Sequence, residues 1–140
     1  EMVRARLFRR VLRPLASKYF RPPMLPEELC FNDLFLVRYS AAAGAQASLD
    51  LHTDGSVFSF NVLLNAPGEF DGGGTYFESG AVVAPPQGGA VVHSGQVRHG
   101  GARITRGERL LLVGFVGVEP TAYSARLPRW AAVSSYGKFG

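Results

Sequence analysis

A chain of 140 residues, 46% hydrophobic and 19% charged, has the length and composition of one globular domain. Its longest apolar runs, such as Leu110–Val113 and Ala81–Ala84, fall far short of the roughly 20 residues a membrane-spanning helix needs, so no transmembrane segment is expected. The single cysteine, Cys30, excludes an internal disulfide framework and a cysteine-based zinc site.

The net charge of +4 is unevenly spread. Residues 1–21 hold seven basic side chains against Glu1 alone, whereas the other 119 residues hold eight basic and ten acidic ones, so the basicity belongs to the N-terminal segment. Such a segment can meet nucleic acid, anionic lipid or an acidic partner. The plainer expectation is a solvated helix face whose arginine stems cover apolar surface. The chain starts at Glu1 with no apolar stretch and small-residue cleavage site behind it, so it reads as a processed or excised piece.

From Met2 to Phe20 the apolar residues Val3, Leu7, Phe8, Val11, Leu12 and Leu15 recur at three- and four-residue spacing, the stripe of an amphipathic helix. Pro14 should kink or split it, and Arg21-Pro22-Pro23 should stop it. Pro26-Glu27-Glu28-Leu29 predicts a short helical turn opened by proline.

After Asn32 short apolar or alternating stretches appear between Gly, Pro, Asn and Asp, the texture of strands. They are expected at Leu34–Tyr39, Ser48–His52, Val57–Leu64, Thr75–Glu78, Val82–Val83, Ala90–His93, Val97–His99 and Arg109–Val116. About eight short strands suit a mainly β, double-sheet jelly roll with supporting N-terminal helices. The expected organisation is a basic helical segment at 1–34, a β core at 35–118 and a tail at 119–140. In that tail Trp130, Tyr136 and Phe139 would pack on the body or anchor a partner. Phe70-Asp71-Gly72-Gly73-Gly74 reads as a tight strand connection, since glycine reaches positive φ freely. No Gly-Lys-Ser/Thr follows it, so it is not a phosphate loop.

Two histidines stand in informative surroundings, Leu51-His52-Thr53-Asp54-Gly55 and Val97-Arg98-His99-Gly100-Gly101. Residues two apart on an extended segment project to one side, so His52 and Asp54 can approach one ion together. His99, at the end of another predicted strand, is the natural third ligand. Two neutral imidazoles and a carboxylate make the facial triad of non-haem iron(II) sites, which leaves the opposite metal face open. Arg109 heads the apolar strand Leu110–Phe115, where a buried guanidinium is costly unless an anion pairs with it, and a carboxylate matches it bidentately. A structural ion pair with Glu108 or Asp71 would serve the same need. On Val57–Leu64, Ser59, Asn61 and Leu63 share one side, and the polar pair suggests that this side faces a cavity. Leu111, Val113 and Phe115 share a side with Arg109, so Leu111 and Val113 should wall the same pocket. His93 is expected near the rim, outside the site.

These features together resemble the prolyl- and lysyl-hydroxylase branch of the 2-oxoglutarate/Fe(II)-dependent dioxygenases. The resemblance runs from about Phe35 to Val118 and is carried by Val37-Arg38-Tyr39, His52-Thr53-Asp54, Phe60–Asn65, Gly72–Phe77 and His93-Ser94-Gly95 through His99 to Arg109. It implies a double-stranded β-helix, iron held by His52, Asp54 and His99, and a salt bridge from Arg109 to the far carboxylate of 2-oxoglutarate. It further implies O2 as oxidant, ascorbate as reductant, and hydroxylation of a prolyl or lysyl side chain of a protein or peptide, with 2-oxoglutarate converted to succinate and CO2. Asn61 and Tyr39 become candidate hydrogen-bond donors to the co-substrate. Fe(II) with Asp54 carries one net positive charge, 2-oxoglutarate two negative and Arg109 one positive, so the filled site is neutral, as burial in a barrel favours. Two other functions compete: nucleic-acid demethylation, to which residues 103–109 give no convincing paired-arginine match, and a jelly-roll structural subunit docked in a larger assembly through the basic helix and the tail.

Overall fold

The computed structural model describes residues 1–18 and 25–121; the expectations for Arg21-Pro22-Pro23, Trp130, Tyr136 and Phe139 lie outside the described residues. The chain divides into two compact units, Phe31–Gly117 and a second that joins Glu1–Cys30 to the segment from Val118 onward. Among the described residues no helix is long and apolar enough to cross a membrane.

In the second unit, helix α1 (Met2–Leu7) continues through a π-helical turn, Phe8–Leu12, into α2 (Arg13–Lys18). The wide turn explains how Pro14 is accommodated. Proline has no N–H to give and its ring crowds the carbonyl four residues back, and loosening the preceding turn removes that clash without ending the helix. Leu7, Val11, Leu12 and Leu15 of the expected stripe are buried, whereas Val3, one turn nearer the chain start, is exposed. Arg4, Arg6, Arg9, Arg10 and Arg13 are exposed, as the charged side of an amphipathic helix should be. The turn opened by Pro26 spans Pro26–Glu28, and the Glu28 carboxylate accepts the Leu25 N–H at 2.6 Å.

Among the described residues nine strands follow: β1 (Leu29–Ser40), β2 (Leu49–His52), β3 (Phe58–Leu63), β4 (Phe70–Gly72), β5 (Thr75–Phe77), β6 (Val82–Val83), β7 (Ala90–Ser94), β8 (His99–Gly101) and β9 (Ile104–Val118). One sheet runs β1-β9-β3-β7, with β4 also paired to β9; the other runs β2-β8-β5-β6. The result is the expected mainly β jelly roll with N-terminal helices, and β3 lies antiparallel to both β7 and β9.

Four strands differ from the sequence expectation by more than one residue: β1 begins at Leu29 rather than Leu34, β8 spans His99–Gly101 rather than Val97–His99, and the other two pair with each other. Phe70–Gly72 is itself a strand, β4, and β9 begins at Ile104 rather than Arg109. Both differences have one cause. Asp71 opposes Arg106 but Gly72 opposes Ile104, so β9 carries one extra residue between them. That bulge flips the alternation, which lets Ile104 and Arg109, an odd number of residues apart, both turn inward. A strict two-residue period stops at Arg109 for this reason.

At the centre of the first sheet Phe60 opposes Gly114, and a Cβ on Gly114 would stand 2.3 Å from the Phe60 ring. Phe60 is wholly buried and meets Phe31 edge to face at 6.1 Å. Gly114→Ala should therefore displace a core ring and destabilise the chain by about 1–3 kcal/mol. Equal urea midpoints for variant and native chain would contradict this packing.

A candidate metal centre beside a buried arginine

Pairing of β2 with β8 sets His52 opposite His99, and Asp54 follows two residues beyond the end of β2. Asp54 is buried, and its backbone N–H donates to the Gly95 carbonyl at 2.8 Å, which fixes the chain where the carboxylate departs. Asp54 Oδ1 is 3.4 Å from His52 Nε2 and Oδ2 is 3.5 Å from His99 Nε2. One ligand atom from each of the three lies within 4.8 Å of the others, a spacing that could hold a metal ion.

The tautomers suit that use. His52 Nδ1 lies 2.8 Å from the Asp50 carbonyl and His99 Nδ1 lies 2.9 Å from the Val97 carbonyl. A carbonyl only accepts, so each Nδ1 carries a proton and the nitrogen left to bind a metal is Nε2, which faces Asp54. The Ser59 hydroxyl donates to Asp54 Oδ2 and meets the Ser56 hydroxyl at 2.8 Å, so the carboxylate is oriented from β3. Ser59→Ala removes that support and should weaken metal binding by about tenfold, at the low end for such outer partners. Calorimetry with Mn(II) would read it, and an unchanged affinity would show that Ser59 orients nothing.

His93 is not at the rim. It is buried, its ring centroid is 3.9 Å from that of His99, and Phe77 meets it edge to face at 5.6 Å. Alternation explains the difference: on β7 His93 opposes Ser59 and so faces inward with it. Burial holds its pKa below the usual histidine value, which keeps the ring neutral.

The same cavity is lined by Tyr39, Asn61, Thr75, Arg109, Leu111 and Val113. Arg109 is 2% exposed. Its Nη1 donates to the Gly74 carbonyl at 3.3 Å, and its Nη2 is buried without a hydrogen-bond partner. The ion pairs that could have claimed it are made elsewhere: Asp71 holds Arg106 at 2.7 Å and Glu108 reaches Arg38 at 3.4 Å. Burial lowers the Arg109 pKa and the nearby Tyr39 hydroxyl partly offsets this; a guanidinium starts so high that it stays charged. The Tyr39 ring lies 5.7 Å from the guanidinium carbon, and burial raises its phenol pKa. Asn61 Nδ2 donates to Thr75 Oγ1 at 3.1 Å. The glycine turn also has a part that sequence reasoning missed. Gly72, Gly73 and Gly74 all have positive φ, and a Cβ on Gly73 would come within 3.0 Å of Arg109 Cδ, so the turn is the seat of the arginine.

No protein-family model matches the chain. It is 37% identical over 108 residues to procollagen-lysine,2-oxoglutarate 5-dioxygenase 1 of Rattus norvegicus, covering 74% of this chain and 14% of that protein. It is 40% identical over 87 residues to the multifunctional procollagen lysine hydroxylase and glycosyltransferase LH3 of the same species, covering 59% of this chain and 12% of that one. Among solved structures, an oxidoreductase of the 2OG-Fe(II) oxygenase family from Burkholderia pseudomallei superposes with a TM-score of 0.54 at 25% identity, over 64% of this chain and 45% of its own. The chain is similar in sequence and in fold to the 2-oxoglutarate- and iron(II)-dependent dioxygenases. Within them it is prolyl- and lysyl-hydroxylase-like, and it spans only 12–14% of the length of these curated relatives.

The dioxygenase family implies Fe(II) and 2-oxoglutarate, and the residues present fit both. Two neutral imidazoles with one carboxylate are a donor set for Fe(II) that leaves coordination positions open. The unpartnered Nη2 of Arg109 is a buried cation lacking its anion, which a co-substrate carboxylate would supply.

Proposed function

We propose that the chain is the catalytic core of an iron(II)- and 2-oxoglutarate-dependent hydroxylase acting on a lysyl or prolyl side chain of a protein or peptide. The observation that carries this reading is the buried, unpaired guanidinium of Arg109 in one cavity with His52, Asp54 and His99. Names of the curated relatives point to procollagen lysine as the type of side chain.

In this reading His52 and His99 offer their Nε2 lone pairs, and Asp54 offers the carboxylate oxygen Oδ1 that Ser59 leaves free. Arg109 pairs with the far carboxylate of 2-oxoglutarate, and Tyr39 and Asn61, which line the same cavity, donate hydrogen bonds to it. Leu111 and Val113 exclude water along that wall, so the ion pair acts at low dielectric. When bound, iron and 2-oxoglutarate supply the oxidation: O2 gives one oxygen atom to succinate, with release of CO2, and the other to a substrate C–H bond. The protein's share is ligand geometry, charge balance and a dry cavity.

The test is succinate release with Fe(II), ascorbate and O2, against lysine-containing collagen-type peptides, proline-containing peptides and methylated oligonucleotides. A peptide should stimulate release. Stimulation by methylated oligonucleotide alone would move the activity to nucleic acid, and no 2-oxoglutarate binding at all would leave a jelly roll with a structural role.

A further inference from the structure

We propose that Phe35 and Phe115 form the seat for the substrate's side chain, at the open end of the cavity and beside the metal-ligand cluster; this deepens the hydroxylase reading and rests on it. Phe115 on β9 opposes Ser59 on β3, and Ser59 opposes His93 on β7, so the three side chains form one row on the inward face. The middle of that row touches Asp54 through the Ser59 hydroxyl, and one end touches the His99 ring through His93. The metal-ligand cluster therefore sits against this row.

Its two ends differ. On the His93 side the ring is buried and backed by Phe77, which leaves no space for a substrate. On the other side Phe115 meets Phe35 of β1 edge to face at 5.3 Å, and both rings are half-buried and line the cavity.

Depth along the strands points the same way. On β9, Arg109 and Leu111 are buried while Val113 and Phe115 are half-buried; on β1, Tyr39 is buried while Val37 and Phe35 are half-buried. The cavity is closed at Arg109 by buried residues and opens towards the phenylalanine pair, and also at Leu49 and His52. A diacid anchored on Arg109 fills the closed end, so the carbon to be oxidised reaches the metal past Phe35 and Phe115. Among the described residues, no carboxylate but that of Asp54 lines the cavity. Recognition there is of carbon: the rings take the methylenes of a lysyl side chain or the ring of a prolyl one by dispersion.

The experiment uses the chain with Fe(II), 2-oxoglutarate and the lysine- and proline-containing peptides. Phe115→Ala, and independently Phe35→Ala on the edge strand, should raise the peptide KM about tenfold, and Phe115→Leu should recover most of it. Mn(II) and 2-oxoglutarate affinities, measured by calorimetry on the same variants, should stay at native values, which also reports an intact fold. An unmoved peptide KM in both alanine variants overturns the seat while leaving the hydroxylase reading in place. A parallel loss of Mn(II) or 2-oxoglutarate affinity overturns it too, because the rings would then brace the site. A native chain that oxidises no peptide removes the hydroxylase reading and the seat with it.

Discussion

Arg109→Ala should abolish 2-oxoglutarate binding at concentrations that saturate the native chain and leave Mn(II) affinity in place. A charge-assisted bidentate pair, lost with its partner left unpaired, is worth about 2–5 kcal/mol, roughly 30- to several-thousand-fold in affinity. The free chain adds a second signature. It already carries the cost of a buried guanidinium whose Nη2 has no partner. Arg109→Met, which keeps most of the volume and removes that charge, should melt no lower than the native chain when 2-oxoglutarate is absent. Added 2-oxoglutarate should raise the native Tm and leave the methionine variant where it was. Calorimetry and thermal melts with and without the acid decide this. Equal affinity in Arg109→Ala would move the anchor to another cation, and Arg106, the next in line, is already tied to Asp71.

Asp54→Ala should weaken Mn(II) binding by at least about an order of magnitude, because it deletes the only anion among the three donors. The hydroxyl of Ser59 would lose its acceptor at the same time, and the His52 and His99 lone pairs would face each other across an empty space. Among the described residues no other group of three His, Cys, Asp or Glu side chains is placed to hold a metal ion, so no alternative set should take over. Titration calorimetry on native and variant chains reads the difference. Equal metal affinity would dissolve the assignment of all three ligands.

How much of this could be read from the residues depends on the range of the interaction. The spacing of His52 and Asp54 is local, and an extended backbone puts both on one side whatever the rest of the fold does. The inward side of β3 was equally legible, since Ser59, Asn61 and Leu63 alternate with Phe58, Phe60 and Val62, and all three are buried. What pairing across strands decides could not be read in this way. That Ser59 holds Asp54, or that His93 packs on His99, depends on which strands become neighbours. The start of β9 was missed because a bulge breaks the two-residue period on which the reading relied. The glycine turn was recognised as a turn from its composition, yet its partner, Arg109, lies 35 residues further along the chain.

The long strand β9 holds the arginine at one end of the cavity and Phe115 at the other, with no loop between them. It pairs with β4 near Arg106, with β3 from Leu111 to Val116, and with β1 on its other side. The distance from anion anchor to metal row is therefore written into a single ladder of backbone hydrogen bonds. Adding or deleting one residue between Arg109 and Phe115 would turn one set of side chains to the far side of the sheet, and a slip of two would displace the anchor by about 7 Å. Length changes in descendants of this sequence can collect in the surface turns, whereas this stretch behaves as a gauge block whose length the chemistry holds constant.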